Sequence, residues 1–277
     1  MNPKISVIIV TFNSSKDLEG AIVSFLKQNY SNKELVIIDG GSKDGTVDII
    51  KRYEQQIGYW CSEPDKGIYD AMNKGWRRAS GEYMLYLGCD DRLLDGALSA
   101  LADNANDADL VFGDVKCLHA GGIIRERITT MNFDVIRKHA IFSHQSLIMR
   151  RSIFEKYNGF DCKYRILADY HLILRAYLGG AKMQYVHHFI SLFNMGGISG
   201  FTFKSDKEKL AIHIATGSVK HPYALYYYNI CKKCLQIVKN RWLKIQLDIS
   251  TNPFLNMLQQ QRDSVKNMKV MLQERID

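Results

Sequence analysis

Two apolar strands that each stop at carboxylates constrain this chain more than any other feature. GEYMLYLGCDD is apolar through its centre and ends at Asp90 and Asp91. Upstream, ELVIIDGGSKDGT carries a second apolar run, and it stops at Asp39. A strand that is apolar on both faces belongs inside a sheet covered by helices. Ligands of such sheets sit beyond the carboxyl ends of the strands. Acids delivered there suit a nucleotide and a hard cation, because such a cation bridges protein carboxylates and substrate phosphates. Each acid also has a plainer reading. Asp90 and Asp91 can cap the following helix, and Asp39 can stabilise its turn.

The first hundred residues alternate strand and helix. A strand is expected over residues 4–12, with Asn13, Ser14 and Ser15 as helix-cap residues. A helix over about 16–28 follows, then a strand over 33–39 and a helix capped by Asp44 and reaching about Tyr53. A short strand at 59–62, a helix at 68–79, a strand at 82–89 and a helix at 93–102 complete the half. This order predicts a mostly parallel sheet with helices on both faces. Thr11, Asp39 and the Asp90–Asp91 pair then converge although they lie far apart in the chain. The second half reads differently. Strands at 109–118 and 123–129 flank Gly121 and Gly122 as a hairpin. A strand at 145–149, a helix at 166–178 and an extended run at 183–193 suggest a mixed sheet beside the nucleotide half.

Here the motifs carry a resemblance. ISVIIVTFN, then VIIDGGSKDGT, then DKGIYDAMNKG, then a strand ending in DD resemble the family 2 glycosyltransferases over roughly residues 4–200. HQSLIMRRSIFEKYNGFD, ILADYHLILR and NMGGIS are similar to the branch that builds bacterial surface polysaccharides such as O-antigen, colanic acid and capsule. The resemblance implies the α/β GT-A fold, a Rossmann-like mixed sheet flanked by helices. It implies a catalytic domain at 1–220, with a nucleotide half at 1–105 and an acceptor half at 106–220, followed by a helical extension at 221–277. It also implies metal-dependent, inverting transfer from a nucleotide-sugar, a UDP-sugar first among them, to a glycan or a polyprenyl-diphosphate-linked acceptor. Thr11 and Asp39 would hold the uracil end. Asp65, Lys66, Asn73 and Asp90 would contact the donor. Asp90 and Asp91 would hold Mn²⁺ or Mg²⁺. Asp169 would be the general base. His144 would touch the diphosphate or metal, or else be a satisfied core histidine. Gly196 and Gly197 would form a flexible loop over the site.

Two departures matter. Gly88 stands where many relatives carry an acid or amide, so the metal would rest on fewer ligands. Ala168 precedes Asp169 where many relatives carry glutamate, so one acid would serve as base. These leave a non-catalytic nucleotide- or glycan-binding member of the fold as the alternative. A sugar nucleotidyltransferase is disfavoured, because TFNSSKDLEG lacks the glycine-rich basic loop expected after its first strand. Processive relatives carry QxxRW; here Gln236 lies five residues before Arg241, so single-sugar transfer is expected.

Charge and hydropathy bear on location. The longest clean apolar run is near Ile5–Val10, far short of the roughly 18 residues that span a bilayer. The start has no secretory pattern, and a cytoplasmic protein is expected. Net charge is +8, and residues 222–277 hold six lysines and three arginines against three aspartates and one glutamate. Leu225, Tyr228, Cys231, Leu235, Val238, Trp242 and Ile245 fall on one helical stripe, and a second helix is expected after Pro253. Such a basic amphipathic helix suits the anionic inner face of a membrane. Packing on the catalytic domain, or on a second copy as a homodimer, is the competing expectation. Nucleic acid is not expected, since no binding motif for it is present. Cys231 and Cys234 read as helix residues one turn apart rather than as a zinc site.

Overall fold

The computed structural model describes residues 2–195 and 203–251, with side chains described up to Met195 and from Lys204 to Gln236. The chain divides into two units, Met1–Pro222 and Tyr223–Asp277. In the first, β1 (Ile5–Thr11), α1 (Leu18–Leu26), β2 (Lys33–Asp39), α2 (Thr46–Arg52), β3 (Tyr59–Ser62), α3 (Ile68–Arg78) and β4 (Tyr83–Gly88) alternate as expected. Then come β5 (Arg92–Leu93), α4 (Ala97–Asp103), β6 (Leu110–Leu118), β7 (Ile124–Arg127), β8 (Leu147–Arg150) and α5 (Arg151–Tyr157). The unit continues with α6 (Ala168–Leu178), β9 (Met183–Asn194) and α7 (Phe203–Thr216).

Among the described residues nine strands form one sheet, in the order β3-β2-β1-β4-β8-β6-β9-β5, with β7 paired to β6. β3, β2, β1 and β4 are parallel, whereas β8 runs antiparallel between β4 and β6. The sheet is therefore mixed, as a nucleotide half joined to a second half requires. Alternation along the strands divides the core into two faces. Val7 and Ile9 of β1 pack with Ile22 and Phe25 of α1 and Leu98 and Leu101 of α4. Ile8 faces the other way, with Trp76 of α3, Phe154 of α5 and Leu172 of α6. Gly75 makes the second packing close: a Cβ there would lie 2.5 Å from Ile8 Cγ2.

Three expectations are revised. The helix placed at 93–102 begins at Ala97, because Arg92 and Leu93 form a two-residue strand against β9. A strand this short has too little pattern to be read from sequence. Asn13, Ser14 and Ser15 do not cap α1, whose N-cap Asp17 makes no capping bond. They stitch the loop after β1 to the loop after β2 instead. Asn13 N–H donates to Ser42 Oγ at 2.7 Å, Ser14 N–H to Thr46 Oγ1 at 2.8 Å and Ser15 N–H to Asp44 Oδ2 at 3.0 Å. Finally, α5 and α7 were not expected at all.

The second unit begins as α8 (Pro222–Thr251). Tyr223, Tyr227, Tyr228 and Leu235 on it are exposed. Cys231 and Cys234 are free and exposed. Among the described residues no helix is long and apolar enough to cross a membrane. The expected helix after Pro253 and the loop at Gly196 and Gly197 lie outside the described residues.

Candidate active site

Strand register brings the sequence-predicted residues to one sheet edge. Thr11 is in register with Asp39 across β1 and β2, Asp39 with Ser62 across β2 and β3, and Val10 with Gly88 across β1 and β4. Thr11 Oγ1 is buried with no hydrogen-bond partner among the described residues; the Cys89 thiol is near enough to interact weakly. Burial raises that thiol above its ordinary value, so it stays protonated.

Asp39 is fully buried, and its carboxylate organises the loop. Oδ2 accepts from Gly41 N–H at 3.0 Å, Ser42 N–H at 2.9 Å and Ser62 Oγ at 2.6 Å. Ser42 Oγ donates to Oδ1 at 2.5 Å. Gly41 has a φ of 86°, which favours glycine there. Asp65 Oδ1 accepts from Gly67 N–H at 2.8 Å, while Lys66, exposed, gives its backbone N–H to Asp70 Oδ2 at 3.0 Å. A Cβ on Gly40 would lie 2.6 Å from Asp65 Oδ2 and 3.2 Å from the Phe12 ring. Phe12, which the sequence reading passed over, is 60% exposed beside Gly40. Asn73 is placed otherwise: its amide donates to Phe160 O at 2.8 Å and accepts from Phe160 N–H and Trp76 Nε1 at 2.9 and 3.1 Å. Those bonds commit the side chain to fastening α3 to the segment before α6.

After β4 the chain turns sharply, with Asp91 N–H donating to Gly88 O at 3.1 Å. Arg92 braces the turn through Nη1 to Asp91 O at 2.7 Å and Nη2 to Asp17 O at 3.1 Å. A Cβ at Gly88 would lie 2.5 Å from Asp91 Oδ2 and 3.0 Å from Asp90 Oδ1. The two carboxylate oxygens thus converge on the space that a side chain would fill. Asp91 is 1% exposed, and Asn194 N–H donates to its Oδ1 at 2.9 Å. Desolvation, reinforced by the charge of Asp90, pushes Asp91 up to about 6. Desolvation raises Asp90 as well. Among the described residues no cluster of three or more His, Cys, Asp or Glu could hold a metal alone. Two converging, destabilised carboxylate oxygens nevertheless fit a hard cation whose remaining ligands are phosphate oxygens and water.

Asp169 lies in the first turn of α6. Its Oδ2 is 3.0 Å from His144 Nδ1, and its Oδ1 accepts from Tyr69 OH at 2.9 Å. Burial works to raise its pKa, but the bond and charge of His144 outweigh that, and the carboxyl is held below its ordinary range. Burial works to lower His144, but Asp169 and, more weakly, Asp91 raise it above its ordinary value. The imidazolium therefore feels both acids. Tyr69 is raised well above the ordinary phenol value, by burial and then by Asp169, and stays a donor. Nothing in the sequence pairs Tyr69 with Asp169, one hundred residues away.

The mixed sheet flanked by helices, with acids at the carboxyl ends of its parallel strands, is the GT-A fold of solved glycosyltransferases. The chain belongs to glycosyl transferase family 2, whose description matches residues 6–158. A PGL/p-HBAD biosynthesis glycosyltransferase of Mycobacterium tuberculosis is 31% identical over 210 residues, 71% of this chain and 79% of that one. The GalNAc(5)-diNAcBac-PP-undecaprenol beta-1,3-glucosyltransferase of Campylobacter jejuni is 36% identical over 129 residues, 45% of this chain and 42% of that one. Staphylococcus aureus TarS 1-349 in complex with UDP-GlcNAc superposes with a TM-score of 0.62 at 18% identity, over 76% of this chain and 66% of that one. The mannosyltransferase PcManGT of Pyrobaculum calidifontis, in complex with GDP-Man and Mn²⁺, superposes with a TM-score of 0.62 at 17% identity, over 82% and 69%. At these identities the two structures speak to the fold.

Proposed function

We propose that this glycosyltransferase moves one sugar, with inversion, from a UDP-sugar to a glycan or polyprenyl-diphosphate-linked acceptor in bacterial surface polysaccharide assembly. The observation that carries the reading is the pair of acid centres. Asp90 and Asp91 converge over Gly88, and Asp169 is paired with His144, whose charge also acts on Asp91. Asp90 and Asp91 would hold Mn²⁺ or Mg²⁺, which neutralises charge on the leaving diphosphate when bound. Thr11, whose buried hydroxyl has at most a weak contact with the Cys89 thiol among the described residues, and the loop built on Asp39 would take the uracil. The exposed Phe12 ring offers a stacking face beside Asp65. Lys66, exposed in the loop before α3, would meet the phosphates.

Asp169 takes the proton from the acceptor hydroxyl. The acceptor oxygen then bonds to the anomeric carbon as the bond from that carbon to the phosphate oxygen breaks. The nucleoside diphosphate leaves with the bonding pair. A carboxylate held below its ordinary pKa is a weak base, so most of its effect must come from position. His144, as an imidazolium, fixes Oδ2 and offers positive charge toward the diphosphate. Tyr69 fixes Oδ1. A lipid-linked acceptor would bring the enzyme to the inner membrane face, where the exposed tyrosines of α8 and the basic charge of residues 222–277 suit an anionic surface.

The test is calorimetry with UDP, GDP and dTDP, with and without Mn²⁺, followed by turnover of the matching sugar nucleotide. Mn²⁺-dependent UDP binding that disappears in Asp91→Ala is expected. Asp169→Asn should keep that affinity and lose about 10²–10⁴-fold in turnover. Tight GDP binding instead overturns the donor class. Wild-type protein that binds nucleotide without turnover supports the non-catalytic alternative.

A further inference from the structure

Three consecutive backbone amides lead into α6, and all three end on one carboxylate. Arg165 N–H donates to Glu208 Oε1 at 2.8 Å; Ile166 and Leu167 donate to Oε2 at 2.9 and 3.0 Å. These amides belong to the two residues before the N-cap of α6 and to that N-cap, Leu167, which makes no side-chain cap bond of its own. Buried or not, such groups need an acceptor, and among the described residues none comes from a neighbouring strand. Here the acceptor arrives from α7, and its carboxylate sits beside the N-terminal end of α6.

The same segment is held from its other side. The Tyr69 hydroxyl lies 2.7 Å from Ile166 O and 2.9 Å from Asp169 Oδ1. Residues 165–167 are thus gripped by Glu208 through their amides and by Tyr69 through a carbonyl, directly before the turn that carries Asp169. Glu208 is itself well anchored. One turn further along α7, Ile212 is fully buried in the apolar cluster that holds Ala168 and Leu172. His213 Nε2 lies 3.1 Å from Tyr170 OH.

We propose that Glu208 is a positioning residue for sugar transfer. It pins the segment that enters α6 and so fixes where the Asp169 carboxylate meets the acceptor hydroxyl. This rests on Asp169 being the base. Glu208 touches no reacting atom; its carboxylate is spent on the three amides. Its effect on rate follows from geometry, since a displacement of about 1 Å can cost about 10²-fold.

The experiment compares Glu208→Ala and Glu208→Gln with the wild-type full chain. It reads amide hydrogen exchange at residues 165–167, UDP affinity with Mn²⁺, and kcat at saturating donor. In Glu208→Ala the three amides should exchange at least ~10-fold faster, and kcat should fall ~10–100-fold with UDP affinity within twofold. Glu208→Gln keeps one acceptor oxygen and should recover part of both losses; it also serves if the alanine variant does not fold. A kcat within twofold of wild type, alongside faster exchange at 165–167, overturns the positioning role. So does unchanged exchange. Wild-type protein that transfers no sugar from any donor would instead remove the base assignment, a failure distinct from an active wild type with an equally active variant.

Discussion

Asp169 illustrates how a surface-type acid becomes a defined reagent. His144 and Tyr69 each take one of its oxygens, and both lie outside its sequence neighbourhood. The pair also sets a pH signature. Asp169 is held below its ordinary 3.8, so its contribution to stability is present above that value and is lost as pH falls through the folded pKa. His144 is held above its ordinary 6.5, so its contribution is full below that value and is lost as pH rises through the folded pKa. The pair therefore stabilises most between about pH 4 and 6.5. Both side chains keep some exposure, 31% and 21%, so solvent screening limits the effect to on the order of 1 kcal/mol. The melting-temperature gap between wild type and His144→Gln should be widest in that window and narrow toward pH 9. A gap that widens toward pH 9 would contradict the ion pair. Of the site residues, Asp39, Asp90, Asp91 and Asp169 were legible because acids at strand ends or in a recognisable motif stand out. Tyr69, Glu208 and Phe12 were not, since an aromatic on a helix and a glutamate in a polar helix look like ordinary core and surface.

At the scale of elements, the turn after β4 does the most for the site. Gly88 was read as a missing ligand, yet its bare Cα is what lets Asp90 Oδ1 and Asp91 Oδ2 approach one another. Gly88→Ala should leave the chain folded, because the atoms its Cβ would meet are the side-chain ends of Asp90 and Asp91 rather than backbone, but it should push the acid pair apart. Mn²⁺-dependent nucleotide affinity by calorimetry should drop ~10–100-fold, the scale seen when metal ligands lose their supporting geometry. Undiminished affinity would show that the acids do not converge on the cation there. The short β5 explains a further contact. By pairing Arg92 with Leu192 and Leu93 with Ser191, it brings the end of β9 alongside Asp91, and Asn194 N–H then donates to the carboxylate. Helices α1 to α3 and strands β1 to β4 were legible from periodicity. β5, α5 and α7 were not: the first is too short for a pattern, and the other two follow motif-rich stretches whose apolar spacing is irregular.

For the molecule as a whole, the division at Pro222 carries its own prediction. Residues up to Pro222 contain the nine described strands and the site residues named above. A chain ending at Pro222 should still unfold cooperatively and bind UDP with Mn²⁺ within about threefold of the full chain, but it should lose sedimentation with anionic vesicles relative to neutral ones. Loss of cooperative unfolding would favour packing of the tail on the catalytic unit, and a change from dimer to monomer would favour the second-copy reading. The sequence alone determined the parallel nucleotide half, because buried strands and amphipathic helices write their burial into local periodicity. It also determined the acids at the strand ends, because a charge that closes an apolar run is conspicuous. Only the tertiary structure decided what those acids face. The insertion of antiparallel β8, the pairing of β5 with β9 and the docking of α7 on α6 depend on contacts between residues up to about a hundred positions apart. Such contacts are chosen by packing and hydrogen-bond satisfaction across the whole fold, and no local pattern encodes them.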